Sequence, residues 1–555
     1  MTEARPPRRG LAGWQHWRPA WLLLVLAAFP VLLMTRRVSQ ATQMNYQDYW
    51  DAMLRITDPN GGLKVRGLFT YQNEHPFFVP QVIYYLDARL GTGSNRELGY
   101  FAVLMALVTL FLLWRLLPAA WSGFTRAGLL AVASLFTLCP TGAWNFVKGM
   151  SGTAWLTANV FALLAILLAW RGRTIPATVL ALIAIASYGT GFAAPVAVIA
   201  VLVLIGQRWR RWAIPLAALL VSLVVYKATN SGGPSSAGIG HDVALLLQTF
   251  LTNLSTLWDP TGGSLGLLAG AGGLAAVALC FVQFWQRRDE LADLVPWWGV
   301  TVYALSASAL ISIGRSAVFA GDGAQARYVS LSALFWTALV VIALRTAPSP
   351  RQVLTRAAAA GVAVLVFWGA SPALMQAAVG QAPRQDLLAA AVRFQAAEGF
   401  SSIMAQPDQQ IQRLQALHDY PFVSGYTVGC GLKPGASVDL SKVQPLPASV
   451  VTQQRVAIDA DKTLGNAHDI SGWVYRAGFP TQCAILVDSS GKVVGGGSDD
   501  TIRTDVQDAN PGFPIDLGFE VVAPVTSGPA TLLLGFSDGL YSLPADVARP
   551  ATGSN

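Results

Sequence analysis

Runs of apolar residues recur at 21–34, 97–118, 127–142, 152–170, 174–189, 192–206, 212–226, 263–285, 293–314, 328–345 and 357–376. Each is close to the roughly 20 residues that cross a bilayer as a helix, so the pattern predicts a polytopic α-helical membrane protein of about eleven spans. An odd count puts the two ends of the chain on opposite sides. Beyond 383 the pattern changes. Residues 384–399 and a following stretch read as helices, and after Gly425 short β-like runs at 450–458, 468–475, 483–488, 492–494, 519–522 and 530–536 alternate with Gly, Pro, Asp and Ser. That spacing predicts a β-sandwich over 426–555, joined by a helical connector at 377–425 to a transmembrane domain at 1–376.

The loop between the first two runs, 36–96, has its own periodicity. In Tyr46-Gln-Asp-Tyr-Trp-Asp-Ala-Met-Leu-Arg-Ile56, the residues Tyr46, Tyr49, Trp50, Met53 and Leu54 fall at helical spacing, with Asp48, Asp51 and Arg55 opposite. This is an amphipathic helix lying at the membrane surface, in which Asp51 and Arg55 can pair and Asp48 has no local partner. A second interfacial helix follows Gln72-Asn-Glu-His-Pro76, with Val79, Val82, Ile83, Leu86 and Leu90 as its expected buried face. Glu74 and His75 then sit at or before its N-terminus, where free N–H groups favour an anion.

At 53% hydrophobic and 12% charged residues, the 555-residue chain is too apolar for a soluble protein of this size. The formal charge of +8 suggests a polyanionic partner, but the arginines cluster between apolar runs, at Arg171 and Arg173, at Arg208, Arg210 and Arg211, and at Arg287 and Arg288. That is the positive-inside pattern, and it accounts for the charge without nucleic acid. With Arg5, Arg8, Arg9 and Arg18 ahead of it, the first run reads as a retained helix with a cytoplasmic lead-in. The C-terminal domain is then extracytoplasmic, and the protein a multi-pass protein of the plasma or inner membrane. Cys139 and Cys280 lie in apolar runs as packing residues, whereas Cys430 and Cys483 can pair if their domain is outside the cytoplasm.

Polar residues collect in the segments expected outside: Trp144-Asn-Phe-Val-Lys148, Ser187-Tyr-Gly-Thr-Gly191, His241-Asp242, Trp258-Asp-Pro260, Arg315 and Ala326-Arg-Tyr328. The runs themselves are nearly free of Asp, Glu and Lys, which counts against an ion-coupled carrier. The placement suits glycosyl transfer at the outer face. There a sugar donor must ride on a polyprenyl phosphate, a carboxylate must take the acceptor's proton, and cations must hold the departing phosphate. Asp48 is the expected base, with Asp51 and Glu74 as further catalytic candidates. Arg315, Arg327 and Lys148 are the candidate phosphate ligands, and no His/Cys cluster has zinc spacing. A divalent cation, Mg or Mn, held by Asp48 and Glu74 is an open option.

The succession of these pieces resembles the GT-C superfamily of membrane glycosyltransferases. An Asp on an interfacial first-loop helix (Asp48-Tyr-Trp-Asp51), about eleven spans and an outer C-terminal domain carry the likeness over residues 15–376. Closer bacterial members share Asn73-Glu74-His75, Asn145-Phe146 and Arg327-Tyr328. The resemblance implies a polyprenyl-phosphate-sugar donor, an envelope glycan or glycolipid acceptor, inversion at the sugar, and acceptor contacts at His75, Asn73, Tyr328 and Asn145. The adjacent Asp-Glu pair of mannosyltransferases and the Trp-Trp-Asp of oligosaccharyltransferases are missing. In the C-terminal domain Ser471-Gly-Trp473, Arg503-Thr-Asp-Val506 and Gly518-Phe519 resemble appended β-sandwiches, with Trp473 and Asp505 as candidate glycan contacts. A lipid-linked sugar transporter or flippase and a non-catalytic envelope-binding scaffold are the rival readings.

Overall fold

The computed structural model describes residues 20–230, 242–259, 261–316, 325–369, 382–400, 404, 406–525 and 530–543. The chain divides into two compact units, 1–40 with 69–80 and 99–376, and 41–68 with 81–98 and 377–555. Both units therefore draw on the segment between the helices Ala20–Gln40 and Asn95–Leu116.

The first unit is helical. Seven helices among the described residues are long and apolar enough to cross a membrane, at Ala20–Gln40, Asn95–Leu116, Gly149–Trp170, Trp209–Thr229, Ser264–Gln286, Ala292–Arg315 and Ala326–Thr346. The bent pair Gly123–Thr137 and Pro140–Val147, which turns by 41°, makes eight if it is one span. The expected eleven are not all found, for local reasons. Thr174–Ser187 and Gly189–Leu204 are shorter apolar helices, separated at Tyr188. At 1.5 Å per residue, 14 residues reach about 21 Å, short of a hydrocarbon core of about 30 Å. The last expected run falls partly on Pro350–Gly369, and its remainder lies outside the described residues.

Gly149–Trp170 is buried almost all round, as its uniform hydrophobicity requires of a central helix. Trp209–Thr229 is the opposite case, with Leu220, Val221, Val224 and Val225 exposed. Buried polar pairs tie helices together where lipid supplies no partner. Tyr303 Oη donates to Asn159 Oδ1 at 2.8 Å, and Ser308 Oγ donates to Asn253 Oδ1 at 2.6 Å.

In the second unit the helix Gln47–Ile56 buries Tyr49, Trp50 and Met53, the expected face. Its opposite face differs in detail. Asp51 and Arg55 feel each other's charge but close no salt bridge, and Arg55 Nε and Nη2 are buried without a hydrogen-bond partner. The helix Phe78–Leu90 reverses the expected face: Gln81, Tyr84 and Ala88 are buried, while Leu86 is 47% and Leu90 80% exposed. On a surface helix of a membrane protein, an apolar stripe has lipid as an alternative to the protein core, and periodicity alone does not choose between them.

A two-stranded hairpin, β1 (Tyr71–Gln72) and β2 (His75–Pro76), precedes that helix. The C-terminal strands are β3 (Gln444–Pro445), β4 (Val456–Leu464), β5 (Ala467–Val474), β6 (Cys483–Val487), β7 (Val493–Thr501), β8 (Gly518–Pro524), β9 (Thr531–Phe536) and β10 (Gly539–Ser542). They form one curved sheet, a half-barrel in the order β3-β10-β9-β6-β7-β8-β5-β4, and not two packed sheets. All pairings are antiparallel except β10 with β3. One face carries a core of Val456, Ile458, Val474, Leu486, Phe519, Val521, Leu534 and Phe536. The helix Ala382–Arg393 packs on β7 and β8. A disulfide joins Cys430 to Cys483, while Cys139 and Cys280 are free and buried.

Candidate functional site

A cavity in the first unit is built on the β1–β2 hairpin. Asn73 occupies its turn with φ 52, a left-handed conformation that Asn tolerates, and it is exposed. The turn delivers Glu74 and His75 side by side. Tyr226 Oη donates to the Glu74 carbonyl at 2.8 Å, and the hydroxyls of Tyr71 and Thr229 lie 2.6 Å apart, fastening the hairpin to the Trp209–Thr229 helix.

Arg315, at the end of the helix Val295–Arg315, forms an ion pair with the Glu74 carboxylate. Its Nη2 also lies 3.2 Å from His75 Nε2, which is itself 3.3 Å from Glu74 Oε1. The three groups are largely buried. Burial first, then the positive charges of Arg315 and Arg327, push His75 down to about 4 against the opposing pull of Glu74. At neutral pH the imidazole is therefore uncharged, and since arginine only donates, Nε2 can accept from Arg315.

Aromatic rings hold the imidazole. Tyr188 stacks on His75 at 4.2 Å between centroids, Trp155 lies 4.3 Å from Tyr188, and Tyr328 meets Trp155 edge-on at 5.3 Å. Gly189 is required beside this stack, because a Cβ there would sit 2.7 Å from His75 Nδ1. The cavity, about 300 Å3, has Glu74, His75, Arg315 and Tyr328 on its polar side and Leu223, Leu310, Ile311 and Ile313 on its apolar side. A carboxylate, a neutral imidazole and a guanidinium thus meet in the lining of an otherwise largely apolar cavity.

The other expected residues take different places. Arg327 lies over the Tyr328 ring, and Asn145 Nδ2 donates to its carbonyl at 3.1 Å, so Asn145 positions the Arg327–Tyr328 turn. Lys148 lies 5.6 Å from the centroid of Trp144, as an interfacial anchor would. Asp48 and Asp51 are half-buried and belong to the second unit. Asp242 caps the helix Val243–Ser255 by accepting from Ala244 N and Leu245 N, while His241 lies outside the described residues. Trp473 is half-buried on β5, and the Asp505 carboxylate is spent on Arg503 in two hydrogen bonds of 2.9 and 2.6 Å. Among the described residues, no group of three or more His, Cys, Asp or Glu is arranged to hold a metal ion.

Trp155, Tyr188, Gly189 and Tyr226 were not among the residues expected at the site. Ser187-Tyr-Gly-Thr-Gly191 did carry a signal, as a polar, glycine-rich break between apolar runs. Trp155 inside a span carried none. No family model and no curated protein sequence matches this chain.

Proposed function

We propose that this protein is a membrane glycosyltransferase of GT-C type, moving a sugar from a polyprenyl-phosphate donor to an envelope glycan or glycolipid at the outer face of the plasma membrane. The observation that carries the reading is the Glu74–His75–Arg315 constellation lining a largely apolar cavity in a multi-span helical unit. An isoprenoid phosphate has this same division into a greasy tail and an anionic head. The disulfide fits an oxidising, extracytoplasmic side for the C-terminal sheet.

The reading assigns the base to Glu74 in place of Asp48, because Glu74 shares the cavity with a cation. The acceptor oxygen attacks the anomeric carbon, its bond to the phosphate oxygen breaks, and the polyprenyl phosphate departs with the electron pair. The acceptor's proton passes to Glu74, directly or through neutral His75. Arg315 neutralises the phosphate, assisted by Arg327. A carboxylate held in an ion pair is a weak base, so the sequence of events matters: an arriving phosphate competes for Arg315 and releases Glu74 to accept the proton. A single displacement of this kind inverts the sugar. Transport is the weaker reading, since the ionisable side chains of the candidate spans lie near their ends, as Arg315 and Arg345 do.

The test is glycan analysis of envelope material from cells lacking the protein and complemented with wild type, Glu74→Gln or Arg315→Gln at matched expression. Loss of one glycan component in both variants is expected. Wild-type composition with both variants would remove the catalytic assignment.

A further inference from the structure

Between Glu97 and Asp242 the sequence contains no acidic residue, yet two turns inside that stretch carry five arginines. Arg171 and Arg173 flank Gly172 after the helix Gly149–Trp170, and Arg208, Arg210 and Arg211 surround the start of the helix Trp209–Thr229. The two turns are neighbours, since a Cβ on Gly172 would lie 3.9 Å from Gln207 Nε2. All five side chains are exposed, and none closes a salt bridge among the described residues.

A second basic cluster of the same unit is built differently. Arg287 pairs with Glu290 at 2.9 Å, Arg288 lies 3.9 Å from Asp289, and Arg345 pairs with Asp293 at 3.1 Å, so three cations meet three carboxylates. Orienting a chain in a membrane asks only for basic residues on one side, and both clusters supply them. It does not explain why one is neutralised within the fold while the other keeps its whole charge. Neither Thr174–Ser187 nor Trp209–Thr229 has an acidic residue in its first turn, so the helix dipoles there add to the positive field.

The surroundings of the arginines select the anion. Trp209 is 64% exposed among them, with the Arg210 guanidinium 5.9 Å from its ring centroid. On the same face of that helix Leu220 and Val224 are exposed as well. The patch and the Glu74 cavity lie toward opposite ends of this helix. Tyr226, which bonds the Glu74 carbonyl, is 17 residues beyond Trp209, a rise of about 26 Å against a hydrocarbon core of about 30 Å. An occupant thus meets cations, then an indole, then aliphatic side chains, the order in which a phospholipid carries its phosphate, its ester region and its acyl chains. A soluble polyanion would leave the aliphatic face unused.

We infer that this patch is a docking surface for anionic phospholipid in the leaflet opposite the Glu74 cavity, with phosphate among the five arginines and an acyl chain along Trp209, Leu220 and Val224. The inference does not depend on the transferase reading, since a carrier or a scaffold with these helices would present the same surface.

Native mass spectrometry of the full chain, released from nanodiscs of equal phosphatidylglycerol and phosphatidylcholine, tests it. Wild type is expected to retain phosphatidylglycerol over phosphatidylcholine by about tenfold or more. The triple variant Arg208→Gln, Arg210→Gln, Arg211→Gln is expected to lose most of that preference, and the corresponding triple lysine variant to keep it. The double variant Arg287→Gln, Arg288→Gln, at the neutralised cluster, is expected to match wild type. The wild-type preference is read without any variant, and the lysine triple, which keeps the charge that orients the chain, controls for faulty insertion. Pyrophosphate added at the lipid's own concentration is expected to displace little of the lipid. Equal retention of the two lipids, equal preference in wild type and the glutamine triple, an equal loss at the neutralised cluster, or full displacement by pyrophosphate would overturn the inference.

Discussion

Glu74 and Arg315, both largely buried, neutralise each other, so removing one leaves the other's charge without compensation. Arg315→Ala is expected to lower stability by about 1–3 kcal/mol, readable as a lower thermal unfolding temperature. Glu74→Gln keeps an acceptor for Arg315 but removes its counter-charge, and is expected to lower the unfolding temperature by less than Arg315→Ala does. Gly189→Ala places a methyl group 2.7 Å from His75 Nδ1 and must displace the imidazole or its hairpin. The expected loss is about 1–3 kcal/mol, with activity reduced further than stability; a variant matching wild type in both would show that the imidazole position is not constrained. The Asn73-Glu74-His75 triplet was readable in the sequence as a place for chemistry. Its cation partner was readable only as one of several arginines near membrane ends, because the pairing spans 241 positions of the chain, from Glu74 to Arg315.

Among the elements, the Gln47–Ile56 helix shows what periodicity can decide. An aromatic stripe has one place to go, and Tyr49 and Trp50 are fully buried. The Phe78–Leu90 helix shows what it cannot decide, since its aliphatic stripe faces outward and a polar one is buried. That polar face belongs to a cluster in the second unit. Asp419 is fully buried with neither carboxylate oxygen hydrogen-bonded, Tyr49 Oη is likewise unpartnered, and Asp87 and Glu97 lie near them. Burial, then the charge of Glu97, pushes both Asp87 and Asp419 up to about 8. The fold thus favours their protonated forms. Because these carboxyls ionise near 4 in the unfolded chain, the stability this contributes is full below about pH 4, falls as pH rises from about 4 to about 8, and is gone above that. The thermal unfolding temperature is expected to fall between pH 5 and 8 and to level off above that, and Asp419→Asn to flatten that slope; an unchanged slope would place the pH dependence elsewhere. Strands were legible where they are apolar. β6 and β9 fall within expected runs, whereas central β7 continues past the expected 494 through Gly495-Gly-Gly-Ser-Asp-Asp-Thr501, and β4, an edge strand, runs through exposed Asp461, Lys462 and Thr463, with the apolar Val450 and Val451 ahead of it in a short helix.

Across the whole molecule, composition was enough to announce a membrane protein with an appended β-rich domain, and hydropathy was less reliable for counting spans. The run 174–206 reads as two crossings, yet its helices are short and broken at Tyr188, and the break supplies the ring that packs on His75. The disulfide closes a sequence separation of 53 residues, and reducing it is expected to cost the C-terminal unit about 4 kcal/mol, measurable by chemical denaturation with and without reductant. A reduced protein of unchanged stability would mean that the bond constrains little. The central claim concerns the cavity of the first unit, and the most direct measurement is release of free polyprenyl phosphate from a polyprenyl-phosphate-linked sugar by the purified protein in nanodiscs with an envelope acceptor. The account predicts release with wild type and a loss of at least a hundredfold with Glu74→Gln, while the variant still binds the polyprenyl phosphate. Undiminished release by Glu74→Gln would contradict it.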